Sequence, residues 1–173
     1  MSGYPENEAL ATWEHEAGAI CSIARMKQGH LCGYARFPKR PVREEGYDGI
    51  LRFVPVHGGL TYAQGHDDGS MVYGFDCTHS GDAVPIEFER YPQYRDPNGR
   101  VWTEAEVARE TTAMVVAILI AAKYERRYLR CTKPKGRARV IDEYHELLSE
   151  RGIVFDLNDN FGAMISVLGG ELT

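Results

Sequence analysis

Acid/base and metal-ligating side chains are concentrated in one short stretch of this chain, residues 57–82. The stretch reads HGGLTYAQGHDDGSMVYGFDCTHSGD, and it holds three of the 6 histidines, one of the 4 cysteines and four carboxylates. Glycines punctuate it throughout, and glycine lets the backbone approach a ligand closely. Because a binding or catalytic site needs this combination of groups, we take residues 57–82 as the candidate site.

Four side chains of this stretch have the right chemistry to ligate a metal ion: His57, Asp76, His79 and Asp82. Two imidazoles and two carboxylates form a mixed nitrogen and oxygen set that suits Zn, Mn or Fe. A divalent metal ion with an open coordination position would also activate a water molecule. The alternative is that the residues of the D-x-x-H-x-x-D spacing cap turns at the end of a strand.

Cys77 is the candidate nucleophile of the stretch. It follows Asp76, and His79 stands two residues further on, so that His57, Cys77 and His79 form a candidate catalytic set for Cys-His chemistry. A reactive thiol also requires a lowered pKa. The alternative is a buried cysteine that behaves as a small apolar side chain.

The glycines and hydroxyl groups of the stretch indicate a third possibility, the binding of a small polar ligand. Backbone N–H groups of Gly58, Gly59 and Gly81 can bind a phosphate or carboxylate in an anion-binding nest. Side chains of the same stretch would then orient a ribose or base by hydrogen bonds. The candidate ligand-binding residues are Gly58, Gly59, Thr61, Asp76, Gly81 and Asp82.

A run of cations at residues 123–139 is the second functional feature. Eight lysines and arginines fall in this run against a single acidic residue, Glu125, and tyrosines are interleaved with them. Arg126, Arg127 and Arg130 are candidates for binding the phosphates of a nucleotide or a nucleic acid. The alternative is a solvated helix end, where cations interact favourably with the helix dipole.

The amino-acid composition is that of an ordinary globular protein. The chain has 173 residues, 43% hydrophobic and 26% charged, which favours one domain with a real core. A net charge of -5 argues against a surface that binds nucleic acid or anionic lipid over its whole extent. The longest apolar run, 113–122, is too short to cross a bilayer, so no membrane partner is expected. Without an export signal or paired C-x-x-C cysteines, we expect a cytoplasmic protein with reduced thiols.

Strands must position the candidate site. A first strand is predicted to start at 13–16, and residues 19–37 read as a hairpin of two strands. The apolar segment 50–56 is predicted to be a third strand, with its proline at an edge or strand end. Residues 60–63 continue extended, and 71–76 form a further strand after a turn rich in Asp and Gly.

The turn between the last two strands sets a register. With its centre at Asp67 and Asp68, residues whose numbers sum to about 135 should lie opposite each other. His57, Cys77 and His79 would then share one rim of the sheet. The two glycines after His57 would leave room for a ligand between these side chains.

Two helices complete the prediction. Thr103 and Glu106 have the spacing of a capping box, which starts a helix whose segment 113–122 is apolar on every face. A second helix is predicted over 137–150, with Gly152 as its stop. A last strand at 153–156 and a short helix at 161–168 are also predicted.

The predicted fold class is therefore α+β, with an antiparallel sheet of about five strands packed on a long buried helix. Residues 1–173 form a single domain in this prediction. Its core spans about 11–125, and a C-terminal helical extension covers about 126–173.

Two segments of the chain resemble a family of small proteins encoded widely by bacteriophages and prophages. VHGGLTY at 56–62 and GFDCTHSGD at 74–82 are similar to its HGG-x-T and GFDC-x-H-x-GD segments, and Gly33-Tyr34 is similar to its Gly-Tyr near the first hairpin. Thr78 and Ser80 stand where many members carry Ala. The resemblance covers roughly 19–125 and implies a phage or prophage setting without supplying a mechanism. It singles out His57, Thr61, Asp76, Cys77, His79 and Asp82.

These patterns favour a phage-type accessory protein that binds a small polar ligand, such as a signalling nucleotide, at 57–82. Hydrolysis of that ligand with metal assistance is left open, and so is association with a second copy of the chain. The alternative is a non-enzymatic protein that docks on a host protein or a nucleic acid through the basic run at 123–139.

Overall fold

In a computed structural model of the chain, residues 8–27, 29–43, 48–83 and 98–154 are described. They form a five-stranded antiparallel sheet in the order β1-β2-β3-β5-β4, together with one 3-10 helix and two α-helices, which confirms the predicted α+β class. The strands are β1 (Glu8–Glu14), β2 (Ile20–Arg25), β3 (Leu31–Phe37), β4 (Tyr62–Gly65) and β5 (Met71–Asp76). The helices are α1 (Glu104–Arg130) and α2 (Pro134–Ser149).

The predicted hairpin over 19–37 is confirmed as β2 and β3, with Ile23 opposite Gly33. β1 pairs with the outer side of β2 and begins at Glu8, earlier than the polar composition of this segment predicts. β1 is a strand because it hydrogen-bonds to β2. The propensity of its own residues does not predict a strand, since strand formation depends on the partner strand.

The segment predicted as the third strand is not a strand. Gly49–Phe53 forms a 3-10 helix that buries Ile50, Leu51 and Phe53. A short apolar run fits several buried conformations, and its pattern alone does not distinguish among them. Gly49, the first residue of this helix, has a left-handed φ of +62°.

The hairpin of β4 and β5 is confirmed with a register one residue from the predicted one. Tyr62 lies opposite Gly74 rather than Tyr73, and the N–H of Thr61 donates to the carbonyl of Gly74 at 3.0 Å. The chain before Thr61 leaves the strand ladder, so His57 reaches the rim from a turn and not from a paired strand.

The capping box at the start of α1 is confirmed. Thr103 Oγ1 accepts from the N–H of Glu106 at 3.3 Å, and Glu106 Oε2 accepts from the N–H of Thr103 at 2.8 Å. Within 113–122 six residues are buried and four are half-buried, so this segment lies in the core but is not enclosed on every face.

Gly33 sets how closely α1 approaches the sheet. A Cβ at Gly33 would lie 2.2 Å from Thr111 Oγ1 on the helix and 2.5 Å from the ring of Phe75 on β5. Only a residue without a side chain allows this contact, so β3 carries glycine where the helix crosses it.

The second helix begins three residues earlier than predicted, at Pro134, which occupies a first-turn position that proline favours. The hydroxyl of Tyr144 donates to the carbonyl of Ala117 at 3.2 Å and joins α2 to α1. After α2, Gly152 adopts a left-handed φ of +74°, as its predicted role as a stop requires.

Several predictions fall on the margins of the described residues. Ile153 and Val154 are not in a strand, and the rest of that predicted strand lies outside the described residues. The predicted helix at 161–168 also lies outside them. No helix in the described ranges is long and apolar enough to span a bilayer.

Candidate functional site

Four of the predicted site residues meet at one end of the sheet. His57 lies in the turn that precedes β4, Asp76 ends β5, and His79 and Asp82 lie in the loop after β5. The ring centroids of His57 and His79 are 5.2 Å apart in an edge-to-face arrangement. We call these four residues the histidine–aspartate cluster.

Asp82 is the centre of the cluster. Its carboxylate accepts hydrogen bonds from Nε2 of His57 at 2.7 Å, from Nε1 of Trp102 at 2.8 Å and from the backbone N–H of His79 at 2.8 Å. Burial of the carboxyl opposes its ionisation, but the hydrogen bonds from His57 and Trp102 outweigh burial and lower the pKa of Asp82. Asp82 is therefore an ionised acceptor, 3% exposed, that joins three segments of the chain.

Trp102, just before the α1 cap, packs against the cluster although it lies outside residues 57–82. Its ring packs 4.5 Å from that of His57, and the guanidinium carbon of Arg100 lies 3.6 Å from the centroid of the Trp102 ring. The backbone N–H of Arg100 donates to the backbone carbonyl of Gly81 at 2.7 Å. The cluster therefore fastens the loop after β5 to the start of α1.

The glycines after His57 do not leave room for a ligand, in contrast to the prediction. A Cβ at Gly58 would lie 1.8 Å from Nε2 of His79, so the imidazole of His79 fills that space. The N–H of Gly59 donates to the carbonyl of Val56 at 2.8 Å and closes a turn. Both glycines have left-handed φ angles, +66° and +81°, which explains the HGG sequence by backbone geometry and packing.

Asp76 is held by two threonines. It accepts from the N–H of Thr78 at 3.1 Å and from the hydroxyls of Thr78 and Thr61. Burial opposes its ionisation, but these hydrogen bonds and the nearby His79 lower the pKa of Asp76. Nε2 of His79 lies 3.7 Å from Asp76 Oδ1, beyond hydrogen-bond distance.

His30 is a further member of this region that the sequence did not indicate. Burial lowers the pKa of His30, although the charge of Asp76 acts in the opposite direction. His30 lies just before β3, whose Cys32 pairs with Asp76, so only the strand register brings it close. A pattern confined to residues 57–82 could not have found it.

The residues predicted as metal ligands bond to each other. The carboxylate of Asp82 is occupied by three donors, and Asp76 is bound by its threonines. Within the described ranges there is no group of three or more His, Cys, Asp or Glu side chains placed to hold one metal ion. The arrangement does not fit a metal centre, and we derive no metal-dependent step from it.

The environment of Cys77 is the opposite of the one that activates a thiol. Cys77 is 2% exposed within the main core. Burial raises the pKa of the Cys77 thiol, and the negative charge of Asp82 raises it further. A neutral buried thiol is a poor nucleophile, so the predicted catalytic role of Cys77 has no support in this geometry.

A separate cleft lies between the second half of α1 and residues 40–43, with a volume of about 740 Å³. We call it the arginine cleft, because Arg40, Arg43, Arg126 and Arg130 line it. Two of the four were predicted to bind phosphate. The other two belong to the sequence KRPVR at 39–43, outside the basic run considered in the sequence.

The three predicted phosphate-binding arginines divide between two surfaces. Arg126 and Arg130 are four residues apart and share the face of α1 that lines the cleft. Arg127 instead pairs with Glu143 of α2, Nη1 to Oε2 at 2.6 Å, and this contact raises the pKa of Arg127. The hydrogen-bonding capacity of Arg127 is used in joining the two helices.

Glu125 joins the two sides of the cleft. It is 6% exposed, and its Oε1 accepts from the backbone N–H of Arg43 at 2.6 Å. This bond holds residues 40–43 against α1 and fixes the position of the two arginines they carry.

Fold and site together describe an α+β protein with a histidine–aspartate cluster at one end of its sheet and an arginine-lined cleft beside its long helix. Models of protein families, curated proteins and solved structures contain no match to the chain. The resemblance to phage-encoded proteins stays a prediction.

Proposed function

We propose that this protein binds a small phosphate-bearing molecule of nucleotide size in the arginine cleft. The observation that carries the proposal is that four arginines, from two separate segments, line one concave surface. The chain as a whole has a net charge of -5, so this concentration of cations is local. A local excess of arginines in a cleft favours an anionic ligand.

The dimensions of the cleft suit a small ligand. Its volume of about 740 Å³ falls within the range of roughly 300–1,000 Å³ that is typical of small-molecule sites. Pro41, Val42, Ala122 and Leu129 add apolar surface to the lining. Leu129 is 40% exposed and offers a surface on which a flat ring can pack.

The geometry of the arginines suits phosphate. Arginine presents five donors in a planar fork that binds phosphate oxygens in pairs. Arg126 and Arg130 have no ion-pair partner among the residues that the structure describes. Their donors are therefore available to a ligand, in contrast to those of Arg127.

The histidine–aspartate cluster is a less suitable ligand site. Its buried carboxylate is saturated by protein donors, and the space beside Gly58 is filled by His79. We therefore propose the cleft as the binding site for the nucleotide that the sequence favoured. Hydrolysis and the phage setting stay predictions on which this proposal does not depend.

Docking on nucleic acid through the whole basic run is the second candidate. Several of its cations are engaged within the protein. Arg127 and Arg139 pair with Glu143, and the guanidinium carbon of Arg137 lies 5.1 Å from the ring of Tyr128. These contacts leave fewer cations of the run for a nucleic-acid backbone, which favours a compact ligand.

Calorimetric titration with pyrophosphate and with nucleoside diphosphates tests the proposal. The double variant R126A/R130A removes two charge-assisted contacts, each worth about 1.5–3 kcal/mol, so binding should weaken at least 100-fold. Arg127→Ala is the matched control, since it removes one charge from the next position of the same helix but faces Glu143. Absence of binding to the wild type, or equal losses in the control, would contradict the proposal.

A further inference from the structure

The hydroxyl of Tyr73 is buried without a hydrogen-bond partner. Tyr73 is 0% exposed, and no donor or acceptor in the described ranges lies within hydrogen-bond distance of its oxygen. A buried hydroxyl without a partner costs free energy, and such groups are uncommon in folded proteins. Phenylalanine would fill the same space in the core without this cost, so packing alone does not account for a tyrosine here.

Strand register places the ring of Tyr73 on the face of the sheet that α1 covers. Tyr73 pairs with Ala35 of β3 on one side and with Ala63 of β4 on the other, and all three pack in or against the main core. The ring of Phe37 lies 5.9 Å away in an edge-to-face contact. Side chains of a strand stand roughly perpendicular to the sheet, so the hydroxyl of Tyr73 points away from the strands into the layer between sheet and helix.

Arg40 brings the arginine cleft close to this ring. A Cβ at Gly65 would lie 3.3 Å from Nη2 of Arg40 and 3.7 Å from Sδ of Met71, so the guanidinium group lies over the end of β4 on the same face as Met71. Gly65 pairs with Met71, and Tyr73 follows two residues later on β5. Residues two apart on a strand share a face at a spacing of about 7 Å, which makes Tyr73 the next side chain along from this arginine.

The charges that act on the Tyr73 hydroxyl belong to the two sides of the cleft. Burial raises the pKa of Tyr73 to about 12, while Arg40 lowers this pKa and Glu125 raises it. Both of these residues line the cleft, whose four arginines outnumber the one carboxylate. The hydroxyl therefore lies beneath the lining of a cationic cleft, and at neutral pH it carries a proton that it can donate.

We infer that the hydroxyl of Tyr73 is a ligand-binding donor at the inner end of the arginine cleft, where it contacts a phosphate oxygen of the ligand beside Arg40. A bound phosphate then supplies the partner that this hydroxyl lacks within the protein. Arg40 is an exposed residue, so its long side chain can move together with the phosphate that it binds. The inference rests on the proposed function and adds a ligand-contacting residue to the same cleft.

Calorimetric titration with pyrophosphate compares the wild type with Tyr73→Phe, which removes only the hydroxyl oxygen. Affinity should fall at least fivefold, as expected for the loss of one hydrogen bond to a charged group. The melting temperature of the free protein should stay the same or rise, because an unpartnered buried hydroxyl is gone. A smaller change in affinity would overturn the inference and leave the proposed function intact. Absence of pyrophosphate binding by the wild type would remove the proposed function as well, so the two failures are distinguishable.

Tyr144→Phe is the matched control. Tyr144 is also 0% exposed, but its hydroxyl donates to the carbonyl of Ala117 at 3.2 Å, and it does not line the cleft. Its replacement should lower the melting temperature and leave the pyrophosphate affinity within twofold of the wild type. Equal losses of affinity in the two variants would overturn the inference, because the effect would then follow from any change in the core. A lowered melting temperature in Tyr73→Phe would also overturn it, since the hydroxyl would then have a partner within the protein.

Nuclear magnetic resonance tests the contact in the wild type itself. Tyrosine labelled with a carbon isotope at the ring carbon that bears the hydroxyl gives a signal whose chemical shift reports the hydrogen bonding of that hydroxyl. The signal that disappears in Tyr73→Phe belongs to Tyr73, and the one that disappears in Tyr144→Phe belongs to Tyr144. Saturation with pyrophosphate should move the Tyr73 signal and leave the Tyr144 signal in place. An unmoved Tyr73 signal at saturation would overturn the inference.

Discussion

Gly58 and His79 are packed so closely that each determines what the other position accepts. Any Cβ at Gly58 would overlap the imidazole of His79, and the φ of +66° at Gly58 is unfavourable for other residues. The HGG sequence, which the residue pattern indicated as a ligand nest, is thus required by the ring that lies against it. The two glycines indicated an unusual backbone conformation, but only the fold shows that His79 is the neighbour of Gly58.

Gly58→Ala should destabilise the protein through both the overlap and the left-handed φ, by about 2–4 kcal/mol in total. In a His79→Ala background the overlap is gone and the backbone penalty remains, so the same substitution should cost about 1 kcal/mol. Urea unfolding of the four proteins in this double-mutant cycle measures the difference. Equal costs of Gly58→Ala in the two backgrounds would show that the two residues do not interact.

The ionised carboxylate of Asp82 should make stability depend on pH. Its folded-state pKa is lowered, so its contribution is present above the unfolded value of about 3.9 and is lost as pH falls through the folded value. Asp82→Asn should lower the free energy of unfolding near pH 7. It should also flatten the decline in stability below about pH 4. Thermal melts from pH 7 to pH 2.5 on both proteins measure this, and parallel curves would contradict it.

His57 was expected to be a rim residue whose loss would change melting little. The structure shows it 6% exposed, packed on Trp102 and bonded to Asp82. Its replacement by alanine would remove a donor from a buried carboxylate, so we expect a marked loss of stability. The convergence of His57 and His79 followed from the register, whereas the burial of His57 depends on Trp102, far along the chain.

At the scale of elements, local signals predicted what local interactions determine. The capping box at Thr103, the hairpin of β2 and β3 and the stop at Gly152 depend on neighbouring residues, and all three are confirmed. The segment Gly49–Phe53 depends on the surface it covers. Its apolar residues pack in the same core as α1, and no local pattern distinguishes that arrangement from a strand.

A substitution on the buried face of α1 tests how this helix packs in the core. Ile118 is fully buried, and Ile118→Asp would place an unpaired carboxylate in the core. The loss should be about 4 kcal/mol or more. Chemical denaturation compared with wild type measures it, and Glu104→Asp at the exposed start of α1 is a control that should change little. Near-wild-type stability of Ile118→Asp would remove this helix from the core.

Over the whole molecule, the arrangement of the thiols can be tested in solution. Cys21, Cys32 and Cys77 are buried, and burial raises the pKa of Cys21 to about 11 and that of Cys32 to about 12. Cys131, after α1, is half-buried. A thiol reagent at pH 8 should therefore modify one cysteine rapidly in the native protein and all four after denaturation. Rapid modification of three or four native thiols would contradict this packing.

The two sites differ in how far sequence could predict them. The approach of His57 to His79 was expected from the hairpin, whereas Cys77, expected on the same rim, lies in the main core. Only the α1 side of the arginine cleft, with Arg126 and Arg130, could be predicted. Arg40 and Arg43 reach it through a contact between distant parts of the chain. Net charge and residue runs describe composition, and the position of a cleft depends on tertiary packing.

The strand order has a consequence for how the chain folds. β2 with β3 and β4 with β5 are hairpins whose residues are close in sequence, so each can form early and reversibly. The sheet becomes continuous only when Cys32 and its neighbours on β3 pair with Asp76 and its neighbours on β5, across a long intervening loop. Closing that loop costs conformational entropy before the core contacts compensate for it. Joining the two hairpins beneath α1 should therefore limit the folding rate. Substitutions at the β3–β5 seam would then slow refolding, whereas those in α2 would mainly accelerate unfolding.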